Sequence, residues 1–147
     1  MKKTVLLVLA ILLFITFTIL GLILSRNIEI QEVKKQNSEF EYYLDKEIYG
    51  TEVASIINKA INQNEINQVQ KNENGYYINN GKNSIEVEVK MTTIEATYRM
   101  EVFYDNGIES FVKNFNFIKF KCKNIEYHKE TGLISKIVFE ELEEPSY

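Results

Sequence analysis

The chain has 147 residues, a mass of 17.2 kDa and a formal net charge of −4. All 21 acidic residues and 15 of the 17 basic ones follow residue 24, so that part carries a net −6. This acidic balance argues against a nucleic-acid partner, which requires clustered Lys and Arg, and roughly 120 residues suffice for one small domain rather than two.

Residues 4–24 form an apolar block without a charged residue. The 20 residues from Val5 to Leu24 would span a ~30 Å hydrocarbon core at ~1.5 Å per residue. Thr16, Thr18 and Gly21 do not interrupt it, since Thr can return its hydroxyl to the preceding turn and Gly is common in membrane helices. A cleaved signal peptide is one alternative. Its apolar stretch usually runs ~7–15 residues and ends at a small-residue site, whereas this block ends in Leu24-Ser25-Arg26-Asn27. A buried globular helix is the other alternative. We expect an uncleaved anchor that contacts membrane lipid through residues 4–24. Lys2 and Lys3 before it, and Glu29 and Glu32 among the basic residues after it, favour an N-terminus inside and a domain outside. The lone Cys122 can form no internal disulfide and fits either side.

Beyond the block, Ile30, Val33, Asn37, Phe40, Leu44 and Ile48 recur at helical spacing. This predicts a stalk to about Lys46. It packs either on the protein's own domain or against a partner helix, with Asn37 as the polar member of the seam. Thr51 is a candidate cap for the next helix, with Glu52 in its first turn. Val53, Ile56, Ile57, Ala60 and Ile61 then form one apolar face. The expected organisation is an anchor over 1–25, a stalk over 26–47 and a head over 48–147.

From Asn72 the pattern changes to turns and strands. Asn74-Gly75 and Asn80-Gly81 are turn dipeptides flanking a short strand, Tyr76-Tyr77-Ile78. Ile85, Val87, Val89 and Met91 alternate with Glu86, Glu88 and Lys90, which predicts a half-buried strand. Residues 97–104 fit either a strand or a helix. A break at Asn106-Gly107 and a helix over 108–115 should follow. Ile118, Phe120 and Cys122 share the face of a further strand, with a bulge near Lys123-Asn124 before Ile125 and Tyr127. Residues 128–132 make the turn into Leu133, Ser135, Ile137 and Phe139, and Glu140 to Glu144 lead into a polar tail. Lys119, Lys121 and Lys123 could pair with Glu86 and Glu88 if their strands are neighbours. The expected fold class is α+β: a transmembrane helix continuing into a helical stalk, then a head of one or two helices on an antiparallel sheet of about four strands.

Catalysis would need a base, nucleophile or metal in a defined cluster. His128, the only histidine, falls in an expected turn with Glu126 and Glu130 and is read as solvated there; Cys122 is read as a small buried hydrophobe. We expect no cofactor, no metal site and no enzyme. Sixteen Tyr and Phe residues lie outside the apolar block, and core filling competes with a binding surface as their explanation. Phe40, Tyr42, Tyr43, Tyr76 and Tyr77 are the candidate partner-binding residues. They include two adjacent Tyr pairs, whose members point in different directions.

The runs Gly50-Thr51-Glu52-Val53 through Ile56-Ile57-Asn58-Lys59-Ala60, and Tyr98-Arg99-Met100-Glu101, resemble segments of uncharacterised single-pass extracytoplasmic proteins of clostridia-type bacteria. The residue usage, with 19 Ile, 15 Asn and 15 Lys against 4 Ala and 2 Arg, resembles that of AT-rich genomes. The layout is also similar to type IV pilin-like and pseudopilin subunits. It lacks their Gly or Ala cleavage site ahead of the block and the Glu early within it. The expected function is that of an anchored, non-enzymatic envelope protein whose head binds a protein partner or itself. The alternatives are a pilin-like subunit, or a small surface hydrolase or metal-dependent enzyme.

Overall fold

The computed structural model describes residues 2–143, and the protein is α+β. Helix α1 runs Lys2–Glu41, and the chain divides into two compact units between Lys35 and Gln36. In the first unit no residue of the apolar stretch is buried against the rest of the protein. Thr16 and Thr18 donate their hydroxyls to the carbonyls of Leu13 and Ile15, each at 2.8 Å. Their polar groups are thereby satisfied within the helix, as an apolar environment demands. Among the described residues α1 is the one helix long and apolar enough to cross a membrane.

The second unit is built on strands β1 (Glu47–Tyr49), β2 (Glu86–Met91), β3 (Ala96–Arg99), β4 (Lys119–Tyr127) and β5 (Ile134–Glu141). They form a single five-stranded sheet in the order β1-β4-β5-β2-β3. All neighbours are antiparallel except β2 and β5, which are parallel. Helices α2 (Gly50–Ile66), α3 (Met100–Asp105) and α4 (Ile108–Phe115) complete the unit. The apolar face of α2 buries Val53, Ile56, Ile57, Ala60 and Ile61 against Ile85, Val87, Val89, Phe120, Ile137 and Phe139. At ~1.5–3 kcal/mol per fully buried aliphatic side chain, this face is the main source of cohesion.

Two asparagines fix how helices meet the sheet. Asn64 is fully buried and satisfies both backbone groups of Ile85, donating to its carbonyl at 2.7 Å and accepting from its N–H at 2.8 Å. Asn37 donates to the carbonyl of Gly132 at 2.8 Å and accepts from the N–H of Ile134 at 3.0 Å. Each amide acts as a surrogate strand neighbour for backbone that would otherwise be buried unpaired. Asn37 therefore serves the protein's own domain. Phe40 is buried beside it in the core.

Several local expectations are corrected. Helix α1 ends at Glu41 rather than near Lys46. Ile48 is not the last residue of a helical stripe but the buried centre of β1, opposite Phe120. The backbone of residues 47–49 finds its partners on the open side of β4, and pairing that edge outweighs the helical periodicity. The cap of α2 is at Tyr49 rather than Thr51, with the Glu52 carboxylate accepting from the Tyr49 N–H at 3.0 Å. Gly50 is required at the start of α2, because a Cβ there would drive into the backbone carbonyl of Phe115. Tyr76 to Ile78 form no strand; Tyr77 makes only an isolated bridge to Lys71. Residues 96–105 resolve as both expected alternatives in succession, β3 and then α3, with the break before α4 at Gly107 (φ 87°).

The bulge in β4 falls between Cys122 and Asn124, and a second irregularity follows between Glu126 and Tyr127. On β5 the buried positions are Ile134, Ile137, Val138, Phe139 and Glu141, so Leu133 and Ser135 do not belong to the core face. Glu140 and Glu141 are strand residues, not tail. Glu141 is buried and accepts from the Thr93 hydroxyl at 2.8 Å and the Thr93 N–H at 3.0 Å. The rest of the expected tail, from Glu144, lies outside the described residues.

Candidate functional site

The five candidate binding residues separate into two sets. Phe40 is 4 % exposed and Tyr77 6 % exposed, so both rings are core and neither is offered to a partner. The reason is packing: Phe40 joins the cluster that the sheet and α2 enclose. Tyr77 is held by its backbone, whose N–H donates to Glu101 at 2.8 Å and whose carbonyl accepts from Arg99 at 3.0 Å. Burial, then the carboxylates of Glu65 and Glu101, raise the Tyr77 phenol above its ordinary pKa. Tyr76 is half-buried with the Arg99 guanidinium 5.0 Å from its ring centroid.

Tyr42 is 63 % exposed, and half-buried Tyr43 lies edge-on to it at 5.2 Å between centroids. The Lys46 ammonium sits 3.1 Å from the centroid of the Tyr42 ring, a cation–π contact that holds the ring at the surface. Tyr127 extends this patch, since its hydroxyl donates to Glu41 at 2.9 Å. Burial and that carboxylate raise the Tyr127 phenol above its usual value. Exposed Leu44 bridges to Cys122 in the adjacent strand. The alternation places Tyr127 on the core face with Ile125, yet it is 45 % exposed, and the register shift beside it skips Ser135 of β5. Two adjacent tyrosines at the end of a helix were a legible signal for this patch. Tyr127 carried none, because alternation predicts a core-facing residue and says nothing of how much of the last residue of a strand is covered.

Several charged side chains of the sheet pair with one another. Lys136 pairs with Glu88 at 2.7 Å and Glu86 at 3.1 Å, and Arg99 reaches Glu86 and Glu101, each at 3.3 Å. Lys119, Lys121 and Lys123 do not pair with Glu86 and Glu88, because β5 lies between β4 and β2. Lys119 instead meets Glu47 at 3.4 Å and Lys123 meets Glu140 at 3.8 Å. Burial opposes the Lys136 charge, but the hydrogen bonds it donates to Glu88 and Glu86 hold its pKa above the ordinary lysine value. The same contact with Lys136 outweighs burial at Glu88 and lowers its pKa.

His128 is not a solvated turn residue. It is 5 % exposed, with Nε2 2.7 Å from the carbonyl of Ser84. The Asn79–Ser84 loop folds over it, held by Asn80 Oδ1 accepting from the N–H groups of Lys82, Asn83 and Ser84. Among the described residues no three His, Cys, Asp or Glu side chains converge to hold a metal ion, and Glu126, His128 and Glu130 do not make such a group. Cys122 is fully buried, and burial pushes its thiol up to about 11.

Clefts open on the helical side of the described residues. One, of about 540 Å³, runs between α2 and α4 beside Ser55, Lys59, Glu109 and Lys113. Another, of about 260 Å³, lies against the β2–β3 turn, α3 and α4. No family model matches the chain, and no curated protein or solved structure matches it. Fold and site thus define a small α+β head carrying one apolar N-terminal helix long enough to cross a membrane.

Proposed function

We propose that this chain is a membrane-anchored, non-enzymatic protein of the cell envelope, with its N-terminus inside and its head outside, and that the head binds a protein partner or a second copy. The observation that carries this reading is the apolar stretch of α1, none of whose residues is buried against the rest of the protein. A helix of that length stays in water only at the cost of its whole apolar surface, and lipid removes that cost. Support for the orientation comes from Lys2 and Lys3 ahead of the block, with Glu29 and Glu32 beyond it. Support for binding comes from the surface of Tyr42, Leu44 and Tyr127, where amphipathic rings are presented to solvent.

The test uses intact cells making the full chain with benzoylphenylalanine in place of Tyr42. External protease should remove the head from unbroken cells, and illumination should give a discrete protein adduct that is absent when the label replaces buried Phe139. A head protected until the cells are broken would overturn the orientation. Illumination that yields no adduct, from a head shown to be folded and external, would overturn binding at this surface.

A further inference from the structure

The smaller cleft has walls of Met91, Ile94, Tyr98, Phe103, Phe111 and Phe115, and none of its lining residues is charged. At about 260 Å³ it falls below the ~300–1,000 Å³ of small-molecule and cofactor sites and is sized for a single side chain. The same head presents Phe117, which at 81 % is the most exposed large hydrophobic side chain among the described residues. Phe117 does not line the cleft of its own chain, although Phe115, two residues earlier, does. One chain therefore carries both an uncovered aromatic knob and an uncharged aromatic hole.

We infer that the cleft receives Phe117 of a second copy of this chain anchored in the same membrane. The inference deepens the self-association branch of the proposed function and rests on it. Charge selects the location. The chain beyond residue 24 carries a net −6, so two copies repel on balance, and a contact lined by no charged residue adds no like-charge pair to that repulsion. Area selects the occupant. One ring in one cleft falls far short of the ~800 Å² per partner that holds two free proteins together. Confinement to one bilayer supplies the missing effective concentration, as tethering does for any second binding event.

The test uses the full chain, carrying either of two epitope tags, co-reconstituted in phosphatidylcholine vesicles and treated with an amine-reactive crosslinker. Cross-tag adducts are the readout, and vesicle flotation confirms the anchor in every sample. Phe117→Ser removes the knob; Ser110→Trp fills the cleft, and Asn114→Trp fills it from another position should the first variant fold poorly. Each variant alone should lose about tenfold of the cross-tag adduct, near the threshold at which an interface residue counts as important. Mixing Phe117→Ser with a filled-cleft variant should recover adduct to within about twofold to fourfold of wild type. One chain then supplies the hole and the other the knob. Wild-type adducts that survive both variants would overturn this contact and leave self-association standing. A wild-type chain that floats with the vesicles yet gives no cross-tag adduct would overturn self-association itself.

Discussion

Glu88 pairs diagonally with Lys136, 2.7 Å away across the parallel strands β2 and β5, with side chains 21 % and 27 % exposed. Their pKa values move apart, Glu88 below its ordinary 4.5 and Lys136 above its ordinary 10.5. A lowered carboxylate adds stability above 4.5 that is lost as pH falls through its folded value; a raised lysine adds stability below 10.5 that is lost as pH rises through its folded value. Glu88→Gln should therefore cost about 0.5–1 kcal/mol at neutral pH, the scale of a partly exposed pair. In denaturant titrations the gap between the two proteins should narrow steadily below pH 4.5. A gap of the same size at pH 3 would show that the carboxylate charge is not its cause. Cys122 gives a second test. With its thiol pushed up to about 11 and no exposed surface, it should resist a disulfide reagent at pH 8 and react at once in denaturant. The alternation of Ile118, Phe120 and Cys122 made this burial legible. His128 was not legible, because its cover is the Asn79–Ser84 loop, whose path depends on asparagine side chains standing in for backbone partners.

At the scale of elements, a period of two or 3.6 was readable wherever one face of an element meets the core. Strand β2 buries Val87, Val89 and Met91 and exposes or half-exposes the residues between them, and α2 does the same at helical spacing. What periodicity cannot say is which strand lies beside which. The parallel pairing of β2 with β5 joins strands separated by β3, both short helices and β4. This places Lys136, not the lysines of β4, opposite Glu86. Strand β1 was hidden for a related reason: three residues carry too little pattern, and only the edge of β4 makes them a strand. Gly50 shows how one contact overrides propensity. Alanine in a helix gains about 1 kcal/mol over glycine, but here the added Cβ collides with the Phe115 carbonyl, a backbone atom that cannot swing aside. Overpacking costs about 1–3 kcal/mol, so Gly50→Ala should be destabilising by about 1–2 kcal/mol in thermal melts. Equal or higher stability would mean that α2 and the end of α4 do not approach as described.

For the whole molecule, one chain combines a helix long and apolar enough to cross a membrane with a head that buries its own core. The apolar block was the clearest feature of the sequence, since 20 uncharged residues leave few physical options. The aromatic content was legible only as a choice between core and surface, and the structure divides it. Phe111, Phe120 and Phe139 are buried, while Tyr42 and Phe117 remain outside. The anchor is the premise on which the proposed orientation and the contact between copies both depend. The most direct measurement is the intact mass of the protein recovered from the membranes of its native cells after alkaline washing. The account predicts a species in the washed membranes near 17.2 kDa, allowing for the initiator Met. Recovery in the soluble fraction, lighter by the residues of the apolar block, would contradict it and leave a secreted domain in place of an anchored one.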